Sequence, residues 1–460
     1  MSDDEAHAVA PVKVTFIRPS ITGGRTHDAM EPLAFAVLAG LTPQDVELDF
    51  FDERLEEIPE DHETDLVALT VETYTARRAY QIASAYRRRG IPVVMGGYHA
   101  SFLPDEALQF ADAVVINDAE AVWEDVVRDA RHRKLRRAYQ SRQLPALTGL
   151  KFDRRIFRGK RYRLAAPVQY GRGCKYACDF CSIHAFYGSS LRQRPLAEVA
   201  AEIEALDRRF ILLVDDNLFV DPAKAEQLFR TLAPLKIKWG CQVSIDIAKD
   251  ERLLDLMEQS GCIAALVGFE SLDPGNLAQM NKKWNLRHGD YASAIRQFRD
   301  RGIMIYGSFI FGYDHDTADT FERTAEFAVG AKLFLVNFSA LTPTPGSKLY
   351  DRLRDEGRLI YDRWWLDPDY RYGQATYHPR LMTADQLTAG CLLARRLFYS
   401  AGSIVQRAAD FSANARSLSR LGVYTLANVI SKRELNQKLG HRLGSETPLD
   451  AGAFAVQEAM

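Results

Sequence analysis

Apolar and polar positions follow two rhythms along the chain. Between residues 12 and 129, apolar runs of four to six residues are separated by stretches with helical spacing. The runs at 12–17, 46–51, 66–71, 91–95 and 113–116 read as strands. Residues 32–41 and 75–89 read as helices. Ala79, Ala83 and Tyr86 share one face of the second, and Gly90 stops it. This alternation predicts an α/β fold with a doubly wound parallel sheet. Such a sheet binds its ligand beyond the carboxyl ends of its strands. From residue 167 the alternation restarts, at about thirty residues per unit. Strands are predicted at 167–170, 210–214, 238–244, 263–268, 304–311 and 333–339, with helices between them. Pro195 opens the first of these helices, a position proline suits. Six strand–helix units predict a full or partial (β/α)6 barrel, with its chemistry at the carboxyl ends of the strands.

The expected division is a sheet domain over 1–130, a basic linker over 131–165, a barrel core over 166–345 and a helical extension over 346–460. The linker holds Arg131, Arg133, Lys134, Arg136 and Arg137, then Arg154, Arg155, Arg158, Lys160, Arg161 and Arg163. Such charge runs usually face solvent, so a solvated linker and hairpin is expected. A patch for an acidic redox partner or an anionic cofactor tail is the functional alternative. In the extension, Trp364, Trp365, Tyr370 and Tyr372 read as core, or as a cap over the barrel mouth. Residues 421–439 have helical spacing and mixed charge, which leaves a packed helix, a dimer surface and a membrane contact all open. Residues 445–460 have no clear period and are expected to fray.

Composition narrows the function. Of 460 residues, 59 are Lys or Arg and 61 are Asp or Glu, a net charge of −2 that argues against a dedicated nucleic-acid binder. A 47 % hydrophobic and 26 % charged chain is not intrinsically disordered. No apolar run reaches the roughly 18 residues of a membrane span. The start, Met-Ser-Asp-Asp-Glu-Ala, lacks a secretory pattern, so a reducing, cytoplasmic location is expected. The chain has six cysteines, too few for a disulfide scaffold. Cys241, Cys262 and Cys391 stand apart and read as small buried hydrophobes.

The other three cysteines form Gly173-Cys174-Lys-Tyr-Ala-Cys178-Asp-Phe-Cys181, directly after the first strand of the second unit. Iron–sulfur clusters are normally held by four thiolates, and three leave one iron open for another ligand. Zinc is the competing reading, with His184 as a further ligand. Three unrelated thiols are the bland alternative. Polar or glycine positions recur where later strands end. They are Asp215 and Asp216, Glu270, the Gly307–Gly312 stretch and the Pro-rich 341–346 turn. Any one of these alone is compatible with turn chemistry or helix capping.

Cys174, Cys178 and Cys181, with Phe180 before the last, resemble the signature of the radical SAM superfamily. The resemblance implies a [4Fe–4S] cluster whose open iron binds S-adenosyl-L-methionine (SAM), and chemistry through a 5′-deoxyadenosyl radical. It points to Asp215, Glu270, Gly307 and Gly312 as SAM contacts, and to a flavodoxin- or ferredoxin-type electron donor. An open sheet ahead of such a barrel resembles the cobalamin-binding class. That match rests on Met30-Glu-Pro-Leu, Val94-Met-Gly-Gly-Tyr-His99 and the Asp118-Ala-Glu120-x-x-Trp123 stretch. Gly96, Gly97, Tyr98 and His99 are the implied cobalamin contacts. Two departures stand out. Asp-x-His-x-x-Gly, which supplies the lower cobalt ligand in many cobalamin domains, is absent, and Phe51-Asp-Glu-Arg-Leu55 stands where it is expected. Asn117-Asp-Ala-Glu120 replaces the family's more usual Gly-Glu-Gly-Glu. The function implied is a cobalamin-dependent methyltransferase acting on an unactivated carbon of a lipid-like or secondary-metabolite small molecule. A cyclase or carbon–carbon-bond-forming enzyme is the alternative within that class. A non-catalytic cobalamin or metal sensor is the alternative outside it.

Overall fold

A computed structural model describes residues 12–449 except 27, 28, 60 and 289. The first sheet contains β1 (Lys13–Arg18), β2 (Glu47–Asp52), β3 (Leu66–Thr70), β4 (Val93–Gly96), β5 (Ala113–Ile116) and β6 (Ala138–Gln140). All neighbours are parallel and the order is β2-β1-β3-β4-β5-β6. The order reverses between β1 and β3, which opens a crevice at their carboxyl ends. Both faces are covered. Val14, Phe16, Phe35 and Trp123 fill one layer; Ile17, Val67, Tyr80 and Met95 fill the other. Strands buried on both faces read as near-continuous apolar runs.

β6 lies inside the segment expected to be linker. Its neighbours are also more ordered than a solvated run requires. Arg136 pairs with Asp125 and Asp129 at 2.9 and 3.0 Å. Arg154 pairs with Glu31 at 2.5 Å and Glu202 at 2.7 Å, bridging the two sheets' domains. Phe157 packs on Phe50 of the first sheet. Most of the run faces solvent as expected, with Arg133, Lys134, Arg136, Arg137, Arg155, Arg158 and Arg161 exposed, while Arg154 fastens the two domains together.

The second sheet holds β7 (Ala166–Val168), then, after a ribbon of β8 (Gly171–Arg172) and β9 (Arg192–Gln193), the strands β10 (Phe210–Leu213), β11 (Lys238–Val243), β12 (Cys262–Glu270), β13 (Met304–Phe311) and β14 (Leu335–Ala340). Its order is β14-β13-β12-β11-β10-β7, all parallel, and β7 does not pair with β14. The barrel is thus partial. Helix entry is specified locally. Asp221, Asp250, Asp273 and Asp290 each cap a helix by accepting from its first backbone N–H groups. Burial alternates along β12 and β13. Phe269 and Phe309 stack beneath the sheet, with Phe309 against Phe327 of a covering helix. Gly268, Ser308 and Ile310 take the opposite, more open face.

The carboxyl-terminal extension protects the β14 edge. Tyr399 OH donates to the Val336 carbonyl at 2.8 Å and accepts from its N–H at 3.3 Å. Arg395 Nε reaches the Phe338 carbonyl at 2.8 Å. An unpaired edge is thereby satisfied. Trp364, Trp365 and Tyr370 are mainly core, although Trp364 Nε1 donates to the Pro343 carbonyl in the turn after β14 at 2.8 Å. They are buried against the first sheet's core, and Trp365 Nε1 donates to Glu106 at 2.9 Å. Residues 418–438 form one helix, and the expected fraying of 450–460 lies outside the described residues.

Candidate functional site

The cysteine loop follows β8 and ends in the short helix Ser182–Tyr187. Cys174, Cys178 and Cys181 are free, half-buried thiols. Burial pushes all three thiols up, Cys178 to about 12, and the charge of Cys174 further raises Cys178 and Cys181. Thiols so placed favour a cationic partner that holds them as thiolates. Among the described residues no three His, Cys, Asp or Glu side chains converge on a single-ion position. His184 Nδ1 is engaged by the Gly188 carbonyl at 3.1 Å. The donor set therefore fits a polynuclear cluster better than tetrahedral zinc.

The loop is anchored on several sides. Asp179 accepts from Tyr313 OH at 2.6 Å and lies 3.4 Å from Arg352. Tyr176 stacks on Trp284 with centroids 4.0 Å apart. Asn217 Nδ2 approaches Cys174 Sγ at 3.9 Å. Asp215 and Asp216, at the end of β10, both serve this loop. Asp215 accepts from the N–H groups of Tyr170 and Gly171, and Asp216 from that of Gly173 at 2.7 Å. Burial pushes Asp215 up to about 7.

Glu270 ends β12 in a left-handed conformation, φ +62°, unusual for a non-glycine residue. Lys282 Nζ donates to Glu270 Oε1 at 2.6 Å and to the Gly268 carbonyl at 2.9 Å. Both side chains are more than nine-tenths buried. Sequence reasoning missed Lys282. Its only signal was a lysine pair beside a tryptophan in Asn281-Lys-Lys-Trp284.

Gly307 and Gly312 are placed differently from expectation. A Cβ on Gly307 would meet Leu333 at 2.8 Å and Phe269 at 3.4 Å, on the helix side of the sheet. Gly312, at φ +111°, faces the Tyr377 hydroxyl and Leu387, and its N–H is held by Asp316 at 2.7 Å. Their missing side chains make room for packing behind the sheet. The open face is lined instead by alternate positions, among them Gln242, Gly268, Ser308, Asn337 and Ser339.

A crevice of about 300 Å³ lies against this loop, between the two domains. Gly96, Gly97 and Tyr98 line it at the end of β4, and Asn117, Asp118 and Glu120 line it after β5. Gln169, Arg172, Phe186 and Tyr187 close it from the barrel side. Gly97 sits at φ +99°, and a Cβ there would lie 2.9 Å from the Val71 carbonyl oxygen, so the turn requires glycine. Asn117, at φ +66°, adopts the left-handed form that asparagine tolerates. Leu33, Val37, Leu38, Val94 and Val115 give an apolar interior; Arg18, Glu72 and Asp118 give a polar rim. Arg18 Nε is buried without a hydrogen-bond partner among the described residues. A flat apolar macrocycle edged with amides fits such a space.

His99 does not line it. Its ring is fully buried, with Nε2 3.1 Å from Glu106 and Nδ1 3.3 Å from Thr73, so the expected corrin contact is a structural histidine. The turn after β2 is also elsewhere. Asp52 is locked by Arg54 at 2.6 Å and Tyr162 at 2.8 Å, away from the crevice. Pro32 and the helix Leu33–Leu41 that follows it face the crevice instead.

Residues 168–328 match the radical SAM superfamily, and residues 21–127 match the B12 binding domain. The chain belongs to the radical SAM superfamily. Its amino-terminal sheet is a B12 binding domain, which makes the protein a cobalamin-dependent member of that superfamily, with a [4Fe–4S] cluster, SAM and cobalamin as its cofactors. The chain is 29 % identical over 389 residues to bacteriochlorophyllide d C-12(1)-methyltransferase of Chlorobaculum tepidum, covering 82 % of this chain and 84 % of that one. It is 28 % identical over 396 residues to anaerobic magnesium-protoporphyrin IX monomethyl ester cyclase of Rubrivivax gelatinosus, covering 75 % and 70 %. The solved radical SAM methyltransferase TsrM of Kitasatospora setae shares the fold, with a TM-score of 0.60, 17 % identity and 75 % coverage of both chains. Among the described residues no helix is long and apolar enough to cross a membrane.

Proposed function

We propose that this enzyme is a C-methyltransferase acting on a bulky, partly apolar small molecule. One observation carries the reading: the cysteine loop and the crevice share a wall. Arg172 precedes Cys174 by two residues, Phe186 and Tyr187 follow Cys181 on the same loop, and all three line the crevice. In this reading Cys174, Cys178 and Cys181 hold the cluster, and Gly96, Gly97 and Tyr98 lie against the corrin. The buried Glu270–Lys282 pair offers one charge of each sign, which matches the amino and carboxylate groups of SAM. Bound there, the cofactors supply one-electron cleavage of SAM and a transferable methyl group. The chain's own part is to hold the thiolates, orient the zwitterionic head and exclude water behind the Tyr98–Phe186–Tyr187 aromatic cluster. An external donor of flavodoxin or ferredoxin type and a reducing compartment such as the cytoplasm complete the requirements.

The test is anaerobic reconstitution with iron, sulfide and cobalamin, followed by product analysis. S-adenosylhomocysteine beside 5′-deoxyadenosine marks methyl transfer. 5′-Deoxyadenosine alone marks the second reading, a cyclase, which the similarity to the Rubrivivax enzyme favours.

A further inference from the structure

Asp118 is the point at which the two sites are joined. It follows β5 on the crevice rim and is only 8 % exposed. Its Oδ1 accepts from Tyr187 OH at 2.9 Å. Its Oδ2 lies 2.7 Å from Arg192 and 3.3 Å from Arg172. Arg172 also reaches Glu120 at 2.7 Å. Arg172 stands just before Cys174, and Tyr187 stands one helix after Cys181. Two neighbouring carboxylates of the B12 domain thus meet both ends of the cysteine loop, Asp118 by a hydrogen bond from Tyr187 and by its charge near Arg172, and Glu120 by its close pair with Arg172.

The ribbon favours this tie. Arg172 and Arg192 face each other across β8 and β9. Like charges directly opposite on an antiparallel pair repel. Asp216 of the barrel domain offsets both at longer range, but the carboxylates that pair with them directly, Asp118 and Glu120, come from the other domain. Gly173 is left-handed at φ +96°, its N–H is held by Asp216, and a Cβ there would lie 2.0 Å from the Ser190 carbonyl oxygen.

We propose that the Asp118–Arg172–Glu120 ion cluster is the spacer that fixes the distance between the cysteine loop and the crevice. Asp118 and Arg172 are then positioning residues that couple SAM cleavage to methyl transfer. The inference rests on the methyltransferase reading above. The Asn117-Asp-Ala-Glu120 departure keeps an acid at both positions of the usual Gly-Glu-Gly-Glu, so the two charges that face the arginines are retained.

The experiment uses the full chain reconstituted with iron, sulfide and cobalamin, comparing wild type with Arg172→Gln, Asp118→Asn and Arg172→Lys. Pulsed electron paramagnetic resonance on the reduced cluster and Co(II) cobalamin reads their separation. In Arg172→Gln and Asp118→Asn the separation broadens, and 5′-deoxyadenosine formed per methylated product rises about tenfold to a hundredfold. Arg172→Lys keeps the charge without the forked geometry and gives an intermediate ratio. An unchanged separation and ratio in both variants overturns the proposal. So does loss of cobalamin from Asp118→Asn with the cluster intact, since that makes the acid a corrin ligand. If Arg172→Gln does not fold, Glu120→Gln removes one partner and leaves Asp118 in place, with the same two readouts. Wild type checks the underlying reading separately. If it forms no S-adenosylhomocysteine, methyl transfer is wrong, and the measured separation alone judges the spacer.

Discussion

The molecule contains two six-stranded parallel sheets that make a site in different ways. The first reverses its strand order between β1 and β3, and its crevice opens at that reversal. Arg18 and Glu72, at the ends of these two strands, pair across it at 3.1 Å. β3 is buried along nearly its whole length, so side chains within the sheet contribute little to the rim. The second sheet adds every strand on the same side and never reverses. Its reactive surface is a face, and along β12 and β13 every second residue is less buried. A reversal makes a site from loops and bare backbone, while an open barrel face makes one from side chains. The same strand–helix alternation in sequence therefore leads to different kinds of contact residue.

The largest effect tests the barrel side. Replacing Cys174, Cys178 and Cys181 by Ala removes every thiolate of the loop. SAM cleavage then falls to background and the reconstituted protein loses its iron-dependent absorbance, while the B12 domain keeps its cobalamin. Retained SAM cleavage would remove the cluster from this loop. Next comes the buried ion pair. Lys282→Met leaves Glu270 charged and unpaired, at a cost of roughly 3–5 kcal/mol. Denaturant unfolding should show this loss, and the KM for SAM should rise. Adding Glu270→Gln should restore most of the stability but not the KM. On the crevice side the contrast is between adjacent glycines. Gly97→Ala forces a left-handed alanine against Val71, at about 1–3 kcal/mol, and weakens cobalamin binding. A Cβ on Gly96 meets Val115 at an ordinary 3.6 Å, so Gly96→Ala should bind cobalamin close to normally. Equal losses at both positions, read by cobalamin titration, would mean that the crevice does not depend on this turn.

What the sequence revealed follows the same division. The cysteine triad was legible because its chemistry is local, with three thiols and two glycines in eleven residues from Gly171 to Cys181. The strand alternation was legible because burial on one or both faces writes a period into the chain. Lys282 was not legible, because its meaning comes from meeting Glu270 twelve residues away across a short helix. Gly307 and His99 were misplaced for a related reason. Position at a strand or turn was readable, but the side of the sheet was decided by partners as distant as Leu333 and Thr73. Trp364 and Trp365 read as core, yet the domain whose core they join lies more than 200 residues earlier in the chain, as the Trp365–Glu106 bond shows. Periodicity carries no address for contacts of that range.

The smallest effect concerns two buried carboxylates, one in each domain. Asp215, beside the barrel, is fed only by backbone N–H groups, and burial pushes it up to about 7. Glu106, in the B12 domain, is also penalised by burial, but the donors His99, Trp365 and Tyr80 outweigh this and hold it below the usual range. Linkage then gives opposite signs. Between an unfolded value near 3.8 and about 7, the folded barrel binds the extra proton at Asp215, so its stability falls as pH rises through that window. Glu106 contributes stability that is present above an unfolded value near 4.5 and is lost as pH falls below it. Hydrogen exchange of each sheet from about pH 3 to 8, corrected for intrinsic rates, separates the two domains. Asp215→Asn should flatten the decline in the second sheet and leave the first unchanged. Glu106→Gln should weaken the first sheet at neutral pH and flatten its acid-side loss. A common pH slope for both sheets in wild type and variants would show that the domains unfold as one unit, and that the difference in how their carboxylates are solvated does not reach their separate stabilities.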